Sequence, residues 1–270
     1  MPWGRAVLYL LVAVAGLAVC AIWLINRGFE ARIASLRDRV LADRSPAGLP
    51  DLPPLVRAFA LRNGGAANGP SAIHLRHRAS LVVNKGSAPV AIEADQWLGT
   101  RRSAFVWRAG GNMFGLPVTV IDSVIDGEGL LEARILGTIT VAHGTGPDFA
   151  AGELQRYLSE LPVHPDAILN NGDLSWRQLD ERTVEVTGRS AHGEASITFG
   201  FDATGDVVAM EAMRPMAVGD RLALTPWRGR YGRYETVGQY RIPTWGDVGW
   251  VLPEGLFTYW TGEIVAYEPI

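Results

Sequence analysis

The pattern of apolar and polar positions changes character three times along the chain. From Ala6 to Ile25 it is unbroken, AVLYLLVAVAGLAVCAIWLI, with no charge and no proline. Twenty helical residues rise to about 30 Å, the thickness of a bilayer core, so residues 1–25 are read as a transmembrane anchor. From Asn26 to Arg44 the pattern becomes amphipathic, with Ile33, Leu36 and Val40 recurring at helical spacing among charges. This predicts a helical stalk, followed by a proline-containing linker over 45–50, and residues 51–270 form one β-rich domain.

Asp51 is placed as the N-cap of a short helix that buries Leu52, Leu55, Val56 and Phe59. From Ala72 the period changes to two: Ile73, Leu75, His77, Ala79 and Leu81 alternate with His74, Arg76, Arg78 and Ser80, as in a half-buried strand. Further strands are predicted at 90–99, 102–109, 115–125 and 130–142. Turn residues separate strands at 174–179, 182–188, 194–202, 206–214, 220–228, 233–241, 246–252 and 256–267. Between the two series lies one helical passage, Phe149 to Leu161, with Ala150, Leu154, Tyr157, Leu158 and Leu161 on one face, then a second turn over 165–169. The fold class that follows is α+β, mainly antiparallel β. About 11–13 strands make a curled sheet or incomplete barrel, with the helix pair as its lid, because so wide a sheet curls to bury one face.

Two other readings compete for the apolar segment. A cleaved signal peptide has a shorter core and small residues at its cleavage site. Here the run is longer and ends in Trp23-Leu24-Ile25. Leu17-Ala18-Val19-Cys20 is similar to a lipobox, but Val19 is large and the run continues past Cys20. A retained anchor therefore leads, in a single pass through a bacterial inner membrane. Arg27, Arg32, Arg37, Arg39 and Arg44 after the segment favour a cytoplasmic domain by the charge rule. The short N-terminal tail favours an extracytoplasmic one, which is the side adopted here.

Composition narrows the partners. Twenty-five basic against 28 acidic residues give a net charge of −3, without the basic stripe that nucleic acid requires. Cys20 is the only cysteine, so the domain after the anchor carries neither disulfide nor thiol. No cofactor, phosphate-loop, metal-ligand or nucleophile-elbow motif is present. His74 and His77 lie on opposite strand faces and do not chelate together.

Candidate ligand-binding residues are therefore aromatic and polar groups on the inner wall. Phe105, Trp107, Trp176, Phe199 and Trp260 are assigned to the lining, competing with a role as plain core. Tyr157 and His164 are placed near the mouth, and Arg214 is assigned either to a ligand head group or to a rim salt bridge. Glu153, Arg156 and Glu160, spaced i, i+3 and i+7, are read as solvated ion pairs. The function expected is a membrane-tethered carrier or sensor of a lipid or other hydrophobic molecule, without chemistry. The alternatives are an enzyme on a lipid or envelope substrate, with His164, Glu160 and Arg214 converging, or an interaction scaffold of the envelope.

The chain also resembles an uncharacterised bacterial family known only as a domain of unknown function. The resemblance rests on Trp97-Leu98-Gly99 with Phe105-Val106-Trp107-Arg108, Gly152-Glu153-Leu154 through Pro162, and His164-Pro165-Asp166-Ala167-Ile168-Leu169. It continues at Pro226-Trp227, Ile242-Pro243, Trp250 and Tyr259-Trp260-Thr261-Gly262. It implies no biochemical activity. The element order is similar to the half-barrel of the lipoprotein-localisation factors, a likeness of topology without shared motif.

Overall fold

In the computed structural model, which describes residues 3–113, 115–219 and 221–270, thirteen strands form one antiparallel sheet. Its order is β6-β5-β4-β3-β2-β1-β13-β12-β11-β10-β9-β8-β7. The first meander comprises β1 (Ala72–Leu81), β2 (Val90–Gly99), β3 (Phe105–Met113), β4 (Leu116–Ile125), β5 (Glu128–Ile135) and β6 (Ile139–Thr145). The second comprises β7 (Leu174–Gln178), β8 (Thr183–Ser190), β9 (Gly193–Phe201), β10 (Val207–Val218), β11 (Arg221–Val237), β12 (Tyr240–Leu252) and β13 (Gly255–Pro269). First and last strands close the two meanders into one surface, Ile73 opposite Pro269 and Leu81 opposite Trp260.

The strands predicted at 90–99 and 115–125 are found nearly to the residue, but two others are corrected. The strand expected over 130–142 is a hairpin, β5 and β6, turned by Leu136 and Gly137, both at positive φ. The strands expected at 220–228 and 233–241, with a turn over 229–232, are one long strand that passes through Gly229 and turns only at Gly238. Gly229 serves close packing there: a Cβ on it would sit 2.8 Å from Met210 Cε.

Four helices accompany the sheet: α1 (Trp3–Leu41), α2 (Pro54–Arg62), α3 (Pro147–Ser159) and α4 (Pro165–Asn170), with a 3-10 turn over Leu161–Val163 before α4. Asp51 does not cap α2. The helix begins at Pro53-Pro54, whose fixed φ presets the first turn. α2, α3, the 3-10 turn and α4 fill one end of the concave face. Phe59, Tyr157, Leu158, Leu161 and Ile168 pack there against Ile73, Leu75, Leu98, Phe105, Phe199 and Ile242.

The convex face has its own cover. α1 is a single helix of 39 residues, about 58 Å long. Its apolar first part is exposed throughout, and an 18-residue window there reaches a mean hydropathy of 2.7. Its second part packs on the back of the sheet, burying Phe29, Ile33 and Val40 against Val106, Ile121, Ile125 and Leu130. Ion pairs Glu30–Arg108, Arg32–Glu132 and Arg39–Asp126 flank the contact. The stalk read from the sequence is thus a helix docked on the sheet, and the linker at 45–50 follows the docked part.

Candidate functional site

The helices fill only part of the concave face, and what remains is a cavity of about 350 Å³. β1–β5, β10–β13 and the inner side of α3 line it. Its walls are apolar: Leu75, Ile92, Trp107, Val120, Leu131, Trp227, Val248, Trp260 and Ile264. Alternation along each strand sets this surface, because every second residue faces inward. Exposure rises steadily toward one end of it. On β1, Ile73 and Leu75 are fully buried, His77 and Ala79 nearly so, and Leu81 is half-buried. On β2 the same sequence runs from Leu98 and Gln96 to Val90. The cavity therefore opens at the end that carries the β1–β2 and β3–β4 turns, away from the helical plug.

Charge is concentrated where α3 meets this wall. Arg156 donates to Asp122 on β4 and, at 3.4 Å, to Glu160. Gln96 on β2 donates to the other Glu160 oxygen at 2.7 Å. The Arg156 guanidinium lies 4.6 Å from the Trp107 ring centre and 5.0 Å from that of Phe105, a cation–π sandwich against the strand. Arg214 on β10 lies 4.6 Å from the Trp227 ring centre and reaches Glu153 and the Tyr259 hydroxyl, both at 3.4 Å. Trp227 Nε1 donates to the same hydroxyl at 3.1 Å.

Burial decides the protonation of these groups. Removal from water, and then the neighbouring Asp122, push the Glu153 carboxyl well above its ordinary range. Burial also raises Glu160, against the opposing pull of Arg156. His77 is pulled down to about 3 by burial and then by the Arg156 charge, so its ring is neutral. Three buried polar atoms of lining residues have no hydrogen-bond partner among the described residues, Arg214 Nε, His77 Nε2 and Trp107 Nε1, while the Glu153 and Asp122 carboxyls hydrogen-bond each other. Buried groups are ordinarily paired, so a cluster of orphans around one cavity is a surface suited to a polar guest group.

Of the residues singled out in the sequence, Trp107, Arg214 and Trp260 line the cavity. Phe105 lies directly behind it, fully buried under Arg156. Trp176 and Phe199 stack 6.5 Å apart in the filled half of the interior. Tyr157 and His164, placed near the mouth, are instead fully buried within the plug. They sit on the opposite side of α3, rings 5.3 Å apart. The Tyr157 hydroxyl donates to the Gly99 carbonyl and accepts from Asn171, both at 2.9 Å. Neither His164 nitrogen has a hydrogen-bond partner among the described residues, so His164 does not meet Glu160 as the enzyme alternative expected, and burial draws it down to about 3.

Glu153, Arg156 and Glu160 are not the solvated pairs that their spacing suggested. The curl of the sheet wraps α3 on nearly every side and carries its charged face inward. Asp122 and His77 line the cavity without having been singled out for it in the sequence, and Trp227 and Tyr259, two of the aromatics of the later strands, join them. A signal existed for Asp122, a lone carboxylate inside the apolar run Val118–Ile125 on a strand.

The architecture defines a class: a half-barrel of antiparallel strands, plugged by helices at one end and hollow at the other. The chain belongs to DUF6544, a family of unknown function, whose sequence profile matches residues 43–262. No curated protein matches it. Among solved structures it is similar to a candidate outer membrane lipoprotein-sorting protein domain from Vibrio parahaemolyticus. That likeness has 9% identity and a TM-score of 0.46 over 80% of this chain and 90% of the other. It is also similar to a LolA-superfamily protein from Nitrosomonas europaea, at 10% identity and a TM-score of 0.38, over 80% of this chain and 92% of that one.

Proposed function

We propose that the protein is a membrane-tethered binding protein for one lipid or other hydrophobic molecule, held in the half-barrel cavity. The observation that carries this reading is the cavity itself: apolar, aromatic walls, one open end and a polar floor with unpartnered atoms. Its volume lies at the lower end of the range for small-molecule sites, which suits a single chain or ring system. Trp107, Trp227 and Trp260 supply flat apolar surface, and Arg214 supplies a cation beside the Glu153 carboxyl, which burial raises well above its ordinary range. The exposed apolar part of α1 supplies the tether, and its continuity with the docked part supports retention after synthesis.

A second reading is favoured by one observation. Glu153, its carboxyl raised by burial, faces Asp122 and shares the floor with His77, drawn down by burial, an arrangement of groups with shifted pKa values that also suits acid–base chemistry on the bound molecule. Glu153→Gln separates the two: a binder keeps its ligand unchanged in composition, whereas an enzyme accumulates unprocessed substrate.

A dansyl-labelled acyl chain added to the full-length protein in detergent tests the first reading. Energy transfer from the lining tryptophans to the probe is expected to saturate with the wild type and to be lost with Val120→Trp, which fills the cavity. Equal transfer in both proteins contradicts binding at this site.

A further inference from the structure

The path of α1 along the sheet fixes which end of the half-barrel faces the tether. Asn26, the first residue after the apolar run, abuts the β5–β6 turn, where a side chain on Gly137 would collide with the Asn26 amide. Farther along, Arg134 covers the Phe29 ring at 4.2 Å and Arg108 binds Glu30. Arg37 then lies over Trp97, and Arg39 pairs with Asp126 in the turn at the opposite end of β4 and β5. The helix thus runs along these strands from one sheet end to the other, and its apolar part projects past the β3–β4 and β5–β6 turns.

That same end carries exposed apolar side chains: Leu116 at 43%, Leu136 at 37%, Ile139 at 57% and Val141 at 50%. Residues 136–141 contain no charge. It is also the end toward which the exposure of the cavity wall rises on β1 and β2.

We propose that the β3–β4 and β5–β6 turns lie in the head-group layer of the bilayer that α1 spans. The cavity then opens toward that bilayer, and the ligand passes between the two without crossing water. The inference rests on the tethering in the proposed function and adds an orientation and a route to it. A rigidly docked helix gives the membrane surface at Asn26 one fixed position relative to the sheet. Apolar groups at that level gain from burial at the interface, about 5–10 Å deep.

The test uses the full-length protein in vesicles of phosphatidylethanolamine and phosphatidylglycerol whose acyl chains carry bromine near the head group or deep in the chain. A bimane label is placed on native Cys20, or, in a Cys20→Ser background, on Leu116→Cys, Ile139→Cys or Ala42→Cys, the last just beyond the far end of α1. Labels at 116 and 139 are expected to lose fluorescence with shallow bromine, Cys20 with deep bromine, and 42 with neither. If 116 and 139 behave like 42 while Cys20 is quenched, the orientation is wrong and the tether stands. If Cys20 is not quenched either, the tether fails and the orientation with it.

Discussion

Burial raises the Glu153 carboxyl well above its ordinary range, and the consequence for stability has a definite sign. Its folded pKa is raised, so the unfolded chain releases the proton first. Stability from this group is therefore full below about pH 4.5 and falls as pH rises toward the folded pKa. Glu153→Gln keeps the shape of the protonated acid and removes that loss. We expect the variant to match the wild type at pH 4 and to be more stable at pH 8 by urea unfolding. A less stable variant at pH 8 would mean that Glu153 is ionised and paired with Arg214. His164 has the opposite sense. Its pKa falls from 6.5 to about 3 on folding, so its contribution is present above pH 6.5 and lost as pH falls. Relative to wild type, His164→Phe should gain about 2 kcal/mol on going from pH 7.5 to pH 5. No change in relative stability would show that folding leaves the pKa of the ring where it is in the unfolded chain. None of this was legible in the sequence. A titratable residue declares its type and spacing, whereas its protonation depends on which side chains the curled sheet brings around it.

At the scale of elements, legibility followed turn chemistry. Asp126-Gly127 at the β4–β5 turn is a legible hairpin signal, because Asp and Gly accept positive φ. Leu136-Gly137 has the same backbone form, but leucine rarely adopts it, so the turn was hidden within an apolar run. The glycines of Gly229-Arg230-Tyr231-Gly232 misled in the other direction, since they admit close neighbours to a continuous strand. The helical period of Ile33, Leu36 and Val40 was visible, while the surface that receives it was not. That surface is assembled from β2, β3, β4 and β5, which lie far from α1 in sequence. If this docking holds α1 to the sheet, Phe29→Ala should cost about 3–5 kcal/mol, measured by urea unfolding of the full-length protein in detergent. A cost below about 0.5 kcal/mol would mark this part of α1 as a free stalk.

At the scale of the whole molecule, period-two patterning and turn spacing were enough for a curled antiparallel sheet with a helical lid, because both are local. The division of its interior into a packed half and a hollow half was not. Phe105, Phe199, Trp176 and Trp107 read alike as inward-facing aromatics. Only the placement of the helices decides that the first three are core and the fourth is wall. The hollow half is the basis of the functional account, and native mass spectrometry of the full-length protein released from gentle detergent tests it most directly. We predict a wild-type peak carrying the mass of one apolar molecule, absent from Val120→Trp with an unchanged circular-dichroism spectrum. A wild-type protein at its bare mass, or an identical adduct on both proteins, would contradict the account.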